Sequence, residues 1–341
     1  MNRLDEAFQS VERDSFVLRE DGSAVMQSTA SQTIKEALEL LNIQEGNRVL
    51  EIGTGSGFSG ALLSYLVGSN GLVVSLDIEP EMTNRARKLF KQKSITNVRF
   101  GTRDGRLGDE KNAPYDRIVT WATADHLPLS WLNQLQDQGI LVAPFLCGGV
   151  ANSMYVCQMK KEGDKLIGQK VISGGYILMN ETPEYESYGH ELAADVKDMD
   201  GSEARAWASS QWLRSEPVEK REKFLKSLAS QPPEKSNFEL DEKLNDFKAY
   251  LVSQQKEGLT TAFLVKERSL LGYSDQNEFA LLSNSKPLMI ANGERAKSIL
   301  QTWYEEWLEL GQVGVESMIP FMQQSDDTWV VRLTLRSNDL R

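Results

Sequence analysis

The chain has 341 residues, of which 40% are hydrophobic and 26% charged, and its formal net charge is −11. This length allows one substantial core and a second, smaller unit, and the composition is that of an ordinary globular protein. The acidic balance argues against a general nucleic-acid binder, because such proteins usually carry a basic face.

The first half of the chain alternates predicted helices and strands. Apolar residues at helical spacing predict a helix over residues 31–41, and Gly46 follows it. Strands are predicted at residues 48–52, 72–77, 98–100, 117–121 and 139–144, with further strands at 154–158 and 169–179. Helices are predicted up to residue 66 and over 80–93 and 129–136. This alternation predicts an α/β fold with a doubly wound, Rossmann-like sheet.

After Pro183 the charge pattern and the predicted secondary structure change. Residues 203–255 are charged and predicted to be helical, with breaks at the prolines. Short strands are predicted at 260–265, 278–282, 287–290 and 328–335, and a clear helix at 293–310. We interpret Trp303 and Trp307 on that helix as core residues rather than a ligand box. The predicted domains are therefore residues 1–185 and a C-terminal α+β domain at 190–341.

Several classes of site and location are not expected. The N-terminus lacks the pattern of a secretory signal, and the longest apolar run, at residues 139–151, is too short and glycine-rich to span a bilayer. We expect a cytoplasmic protein without a membrane partner. Cys147 and Cys157 predict buried thiols rather than a disulfide scaffold, and His126 and His190 have no zinc-site spacing, so no metal is expected.

The strongest local motif is the glycine-rich segment after the first predicted strand. Its glycines let the backbone pass close to a ligand at the carboxyl end of that strand. Asp77 ends the second strand, where a carboxylate can accept hydrogen bonds from both ribose hydroxyls. A ligand-free strand-to-helix turn is the alternative. The residues that we assign to a cofactor here are Gly53, Thr54, Gly55, Ser56, Gly57, Asp77 and Ile78.

Two acidic residues near the glycine-rich segment, Glu51 and Asp104, indicate which cofactor binds. Residues 55–60 also satisfy the G-x-G-x-x-G pattern of dinucleotide sites, which by itself favours NAD. Glu51, however, would repel a pyrophosphate and can meet the cationic methionine end of S-adenosylmethionine. Asp104 and Gly105 follow the third strand, where an acid can bind an adenine amino group. An NAD-dependent oxidoreductase and a binding protein without catalysis stay as alternatives.

At this point the sequence resembles the protein-L-isoaspartate O-methyltransferases over about residues 4–180. The motifs that carry the resemblance are Val-Leu-Glu-Ile-Gly-Thr-Gly-Ser-Gly-Phe at 49–58, Arg-Asp-Gly-Arg-Leu-Gly at 103–108, Pro-Tyr-Asp at 114–116, residues 134–144 and the segment at 11–17. The glycine block is shared by many methyltransferases, whereas the Asp-Gly-Arg block with Pro-Tyr-Asp is more specific. The resemblance implies a class I methyltransferase sheet and S-adenosyl-L-methionine as cofactor, lined by Glu51, Gly53, Gly55, Gly57, Asp77 and Asp104.

The resemblance also implies that the loop before the helix at 31–41 receives the substrate carboxylate. The family usually has Thr-Ile-Ser there, followed closely by proline. In this chain the family serine falls on Thr29 and the proline on Ser31. We predict that the hydroxyls of Ser28 and Thr29 act as catalytic residues that hold the carboxylate, with Gln27 and Ser31 contacting substrate. The alternative is a helix N-cap, because Ser and Thr favour that place.

Two further residues follow the fourth predicted strand, near where a substrate would lie. Trp121 is expected to be either a pocket wall or core. His126 is expected to contact substrate, or else to have a surface or capping role. A carboxylate, with a pKa of about 4, is already a nucleophile at neutral pH. The enzyme therefore need only align it with the methyl donor and exclude water.

The C-terminal unit resembles a branch of the family that modifies ribosomally made peptides. That branch has a Trp-x-x-Trp-Leu helix end, which residues 303–311 fit loosely, and its enzymes methylate an aspartate that then closes to an aspartimide. We expect this peptide-maturation activity, with isoaspartate repair as the alternative and a peptide or protein as partner. A basic cluster is a candidate peptide contact, unless neighbouring glutamates make it a solvated helix face. Its members are Arg205, Arg214, Lys220, Arg221, Lys223 and Lys226.

Overall fold

The computed structural model describes residues 2–25, 29–180, 193–201, 203–240, 243–266 and 268–336. Within these residues the strands form two seven-stranded sheets and one two-stranded hairpin. No helix among them is both long and apolar enough to cross a membrane.

The first sheet is built from alternating strands and helices. Its elements are α1 (Arg3–Ser10), α2 (Asp14–Val17), α3 (Ser31–Leu41), β1 (Arg48–Ile52), α4 (Phe58–Val67), β2 (Leu72–Asp77), α5 (Pro80–Gln92), β3 (Val98–Thr102), β4 (Tyr115–Thr120), α6 (Leu129–Gln134), β5 (Leu135–Leu146), β6 (Met154–Glu162) and β7 (Lys165–Ser173). The predicted bounds of α3, β1 and β2 are confirmed. The strand expected at 169–179 is wrong beyond Ser173, and β5 begins where the helix at 129–136 was expected to continue.

The strand order of this sheet is β3-β2-β1-β4-β5-β6-β7. Strands β1 to β5 pair in parallel, and β6 and β7 are antiparallel. The chain order reverses between β1 and β4, which is the switch point where α/β sheets bind ligands at the carboxyl ends of their strands. The predicted doubly wound, Rossmann-like sheet is confirmed.

The second sheet is antiparallel, with order β10-β14-β13-β12-β11-β9-β8. The remaining elements are β8 (Val196–Asp200), β9 (Glu203–Ser210), α7 (Gln211–Arg214), α8 (Val218–Ser230), β10 (Glu234–Lys235), α9 (Leu244–Ser253), β11 (Leu259–Leu264), β12 (Arg268–Ser274), β13 (Phe279–Ser283), β14 (Leu288–Ala291), α10 (Glu294–Glu309), β15 (Met318–Ser325) and β16 (Thr328–Leu335).

The helix expected from residue 203 is wrong over its first part, which is strand β9. This alanine-rich segment has weak strand propensity, but it pairs with β8 on one side and β11 on the other. Pairing on both edges outweighs local propensity. Strands β8, β10, β12 and β15 were also not predicted.

One hydrophobic cluster runs through both units. It joins Trp131 and Phe145 of the first sheet to Phe247 on α9 and Trp307 on α10. Trp303 and Trp307 are buried, which confirms that they are core residues. The buried thiols expected at Cys147 and Cys157 are confirmed as well, since both are free and buried with their Sγ atoms 3.8 Å apart. The predicted boundary between 185 and 190 lies outside the described residues.

Candidate active site

Backbone hydrogen bonds attach the glycine-rich loop, residues 53–57, to the end of β2. The amides of Gly53 and Thr54 donate to the carbonyl of Leu76, at 2.7 and 3.1 Å. Gly55 has a φ of +48°, and a Cβ placed on it would meet no atom within 4 Å. The loop therefore presents bare backbone to an open space, as a site for a closely approaching ligand requires.

Asp77 closes the loop from the other side. Its Oδ2 accepts from the amide of Gly55 at 2.9 Å, and its Oδ1 accepts from the amide of Glu79 at 3.0 Å. Burial raises the pKa of this carboxyl, although both amide hydrogen bonds oppose that shift. Asp77 thus holds the loop in shape and remains half-buried beside the open space.

Glu51 lies beneath the loop and is 0% exposed. Its Oε1 accepts from Ser59 Oγ at 2.5 Å and Trp121 Nε1 at 3.0 Å, and its Oε2 accepts from Ser75 Oγ at 2.6 Å. Burial raises the pKa of Glu51 to about 6, against the effect of these three donors. Three side chains enclose the carboxylate, and its direct contact with the cofactor stays a prediction. Glu51 ties β1, β2, α4 and the end of β4 together.

Asp104 and Gly105 follow β3 at the same edge of the sheet. Asp104 pairs with Arg106, with Nη2 2.7 Å from Oδ2. Burial acts to raise the pKa of Asp104, but the hydrogen bonds from Arg106 outweigh it and the pKa is lowered. A Cβ on Gly105 would lie 2.2 Å from Cγ2 of Ile52, so only glycine lets this turn approach β1.

The remaining residues assigned to the cofactor contribute backbone more than side chains. Thr54 is buried, and its Oγ1 lies 2.7 Å from Ser75 Oγ. The hydroxyl of Ser56 accepts from the amide of Phe58 at 3.3 Å. Gly57 is buried, whereas Ile78 is half-buried next to Asp77. The open side of the loop is therefore lined by Gly53, Gly55 and Ser56.

The expected substrate loop is only partly described. Gln27 and Ser28 lie outside the described residues. The carbonyl of Thr29 accepts from Arg13 Nη2 at 3.3 Å. Ser31 is the first residue of α3, whose N-cap is Ala30 with no side-chain capping bond. The N-cap interpretation is therefore wrong for Thr29, and α3 begins with its amide groups uncapped by a side chain.

Trp121 and His126 differ in how far they are available to a substrate. Trp121 is 8% exposed, bonds Glu51, and its Cβ would lie 3.2 Å from a Cβ on Gly53. Trp121 therefore packs against the buried side of the glycine-rich loop. His126 is about one-third exposed, at 34%, and its Nδ1 lies 2.6 Å from Oδ1 of Asp125. His190 lies outside the described residues.

Two arginines at the site were missed. Arg13 donates to Thr29, and its guanidinium carbon lies 5.9 Å from the ring centroid of Phe58 at the start of α4. Arg85 on α5 donates to the carbonyls of Ser56 and Phe16, at 2.9 and 2.6 Å. Together they attach the N-terminal segment to the glycine loop. Arg13 lies in the segment at 11–17 that carried the resemblance, but Arg85 had no sequence signal.

The expected basic cluster of the C-terminal unit is largely neutralised. Lys220 pairs with Glu216 at 2.8 Å, and Lys226 lies 4.0 Å from Glu222. Arg205 pairs with Asp200, and Arg214 with Asp195. This pairing supports the alternative interpretation, a solvated helix face balanced by acids.

Comparison with known proteins relates this arrangement to one family. A family model described as protein-L-isoaspartate(D-aspartate) O-methyltransferase matches residues 1–182. A protein-L-isoaspartate O-methyltransferase of Fervidobacterium nodosum is 35% identical over 141 residues, which are 41% of this chain and 69% of that protein. Protein-L-isoaspartate O-methyltransferase 2 of Archaeoglobus fulgidus is 42% identical over 106 residues, 31% of this chain and 48% of that protein.

A solved structure named protein-L-isoaspartate O-methyltransferase has a similar fold along nearly the whole chain. It aligns with 97% of this chain and 94% of its own, at 19% identity and a TM-score of 0.51. The similarity of fold therefore includes the C-terminal unit. The curated relatives above, in contrast, align with only 41% and 31% of this chain, and the chain spans about half to two thirds of their length.

Proposed function

Because the chain belongs to the protein-L-isoaspartate(D-aspartate) O-methyltransferase family, we propose that it methylates the free carboxylate of isoaspartyl residues in polypeptides. Enzymes of this family are S-adenosylmethionine-dependent carboxyl methyltransferases. The observation that carries the proposal is the open glycine loop of β1, which is flanked by the carboxylates of Asp77 and Asp104 and underlain by that of Glu51.

The residues present fit a cationic cofactor better than an anionic one. Glu51 and Asp77 have no cationic partner among the described residues, and the charge of Asp77 helps to raise the pKa of Glu51. A positive group above the loop would relieve this repulsion, whereas the diphosphate of NAD would increase it. Asp77 would bind the ribose hydroxyls, Asp104 the adenine amino group, and Glu51 would position the loop from below.

Methyl transfer requires the protein mainly to position the substrate carboxylate against the methyl donor. S-adenosylmethionine supplies a methyl group on a positively charged sulfur. The substrate carboxylate oxygen would take that methyl group as the carbon–sulfur bond breaks, so the residues of the chain need not move a proton. Thr29 and the uncapped start of α3 at Ser31 would hold the carboxylate, since helix N-termini favour anions. Trp121 would exclude water from behind the loop, and His126 would contact the flanking peptide.

A second candidate is methylation of an aspartate in a ribosomally made peptide, leading to an aspartimide. Serine at position 31, where the family usually has proline, and the helix end at Trp303 and Trp307 support it. The C-terminal unit does not discriminate, because a structure named as an isoaspartate enzyme has a similar fold along nearly the whole chain. The family description and the curated relatives name isoaspartate, which makes isoaspartyl substrates the stronger proposal.

The test combines cofactor binding with methyl incorporation. Calorimetric titration of the full chain should show binding of S-adenosylmethionine and none of NAD. Asp77→Ala should weaken that binding about ten- to a hundredfold, as expected for lost hydrogen bonds to a charged acceptor. Labelled methyl should enter an isoaspartyl peptide, and not the same peptide with aspartate. Methylation only of a cyclic aspartate-containing precursor would replace this proposal with the second candidate, and binding of NAD alone would overturn both.

A further inference from the structure

The turn between β5 and β6 is held by side chains of the C-terminal unit. Arg332 on β16 donates Nη1 to the carbonyl of Cys147 at 3.0 Å, and Arg214 donates Nη2 to the carbonyl of Gly149 at 2.8 Å. At Ala151, the amide donates to Ser209 Oγ and the carbonyl accepts from Thr261 Oγ1, at 3.0 and 2.6 Å. Two guanidinium groups thus flank a turn whose glycines carry no side chains.

The two arginines differ in how their charge is balanced. Arg214 Nε lies 3.0 Å from Oδ1 of Asp195, a nearly buried carboxylate. Arg332 is half-buried and has no carboxylate partner among the described residues. Burial lowers the pKa of Arg332, and the charge of Arg214 acts in the same direction. A half-buried charge without an opposite charge is costly, so this place favours an anion.

The turn lies at the edge of the sheet where the reaction would occur. It continues β5 beyond its carboxyl end, and the amide of Leu146 donates to the carbonyl of Ala124 after β4. Strands β1, β4 and β5 are neighbours. Two spacings of about 4.8 Å separate β1 from β5, and the turn begins four residues, about 13 Å, beyond the level of Ile52, which places it roughly 16 Å from the end of β1. The amide of Leu127, next to His126, also donates to the carbonyl of Trp329 on β16.

We propose that Arg332 binds an acidic side chain of the substrate polypeptide. An extended chain advances about 3.3 Å per residue, so the bound acid would lie four or five residues from the methylated residue. An arginine has five donors in a planar fork that suits a carboxylate, and Arg332 uses one of them on Cys147. This inference rests on the proposed function, because it takes a polypeptide as the substrate.

The test uses pairs of isoaspartyl peptides that differ only in glutamate or glutamine, placed at each position up to five residues on either side. For the native full chain, KM should be about tenfold lower for the glutamate peptide when that residue is four or five positions away on one side. The preference should weaken as salt is raised, because screening acts on charge pairs. In Arg332→Gln the ratio of the two KM values should fall to about one, with kcat changing much less than KM.

Two further variants separate recognition from stability. Arg332→Lys keeps a charge and should keep part of the preference. Arg336→Gln is the matched control, because Arg336 also donates to a backbone carbonyl, that of Gln169, but on β7 away from the turn. It should retain the full preference.

The outcomes are distinct. Equal KM values for both peptides at every position in the native chain, or an unchanged preference in Arg332→Gln, would overturn the inference. Binding of the same peptides to protein saturated with S-adenosylhomocysteine gives a readout without catalysis. If no peptide is methylated but Arg332→Gln still removes the preference in binding, the proposed function fails and the acidic-residue site stands.

Discussion

At the scale of single residues, Glu51 is a motif residue whose carboxylate is fully enclosed by protein side chains. Its carboxylate accepts three hydrogen bonds from side chains on α4, β2 and the residue after β4. Those donors are neutral, so they compensate only part of the cost of removing the charge from water. The raised pKa of about 6 is the signature of that imbalance.

This imbalance predicts a pH dependence of stability. The pKa of Glu51 is higher in the folded chain than its ordinary value of 4.5. The folded state therefore binds more protons between the two values, and stability falls as pH rises from about 4.5 through about 6. A difference of one pKa unit between the folded and the unfolded chain corresponds to about 1.4 kcal/mol. The free energy of unfolding should therefore fall by about 2 kcal/mol across this pH range.

Glu51→Gln should lack this part of the pH profile, because an amide does not titrate. Urea unfolding of the cofactor-free protein from pH 4.5 to 7 would measure it, with Glu20→Gln, a change at a highly exposed glutamate, as the control. Parallel profiles for the native protein and Glu51→Gln would show that Glu51 keeps an ordinary pKa.

At the scale of elements, the contact between β7 and β15 brings the C-terminal hairpin against the first sheet. A Cβ on Gly168 would lie 1.8 Å from the carbonyl oxygen of Pro320. Backbone atoms fill this space, and a rotamer change cannot clear them. The absence of a side chain at residue 168 is therefore a condition for the two strands to lie side by side.

Gly168→Ala should consequently destabilise the whole chain by about 2 kcal/mol or more, within the range seen for overpacked cores. Gly163→Ala, in the turn before β7, is the control, since its Cβ would meet no atom within 4 Å. That change strains only a positive φ, which costs a residue with a Cβ about 1 to 2 kcal/mol. If both variants unfold at the same urea concentration, β7 and β15 are not in close contact in solution.

At the scale of the whole molecule, the C-terminal unit completes the core of the methyltransferase sheet. The same cluster holds Tyr155 of β6 and Phe247 of α9, and it extends to Trp307. The unit also satisfies the backbone of the β5–β6 turn through side chains that include Arg332 and Arg214. Its removal would leave apolar surface and buried carbonyl groups without partners.

A protein ending at residue 180 should therefore be much less stable than the full chain, even though the family model matches only residues 1–182. We expect a lower melting temperature by circular dichroism and increased binding of a hydrophobic dye, which reports exposed apolar surface. A cooperative transition at the temperature of the full chain would mean that the first unit folds independently.

The sequence by itself determined the parts of this protein that local patterns encode. The spacing of apolar residues predicted α3, β1 and β2, and the order of strand, glycines and acids predicted the sheet class and the place of the cofactor loop. Asp77 and Asp104 lie at the carboxyl edge of the sheet, as expected, because each directly follows or ends a strand. Such features depend on residues that are neighbours along the chain.

Only the tertiary structure decided the features that depend on distant residues. Segment 203–210 is a strand because two other strands pair with it, although its composition favours a helix. Glu51 is enclosed because donors from three different elements converge on it. Arg332 reaches the carbonyl of Cys147 across 185 positions of sequence. Burial and charge pairing at such separations are set by packing, which no local pattern of residues records.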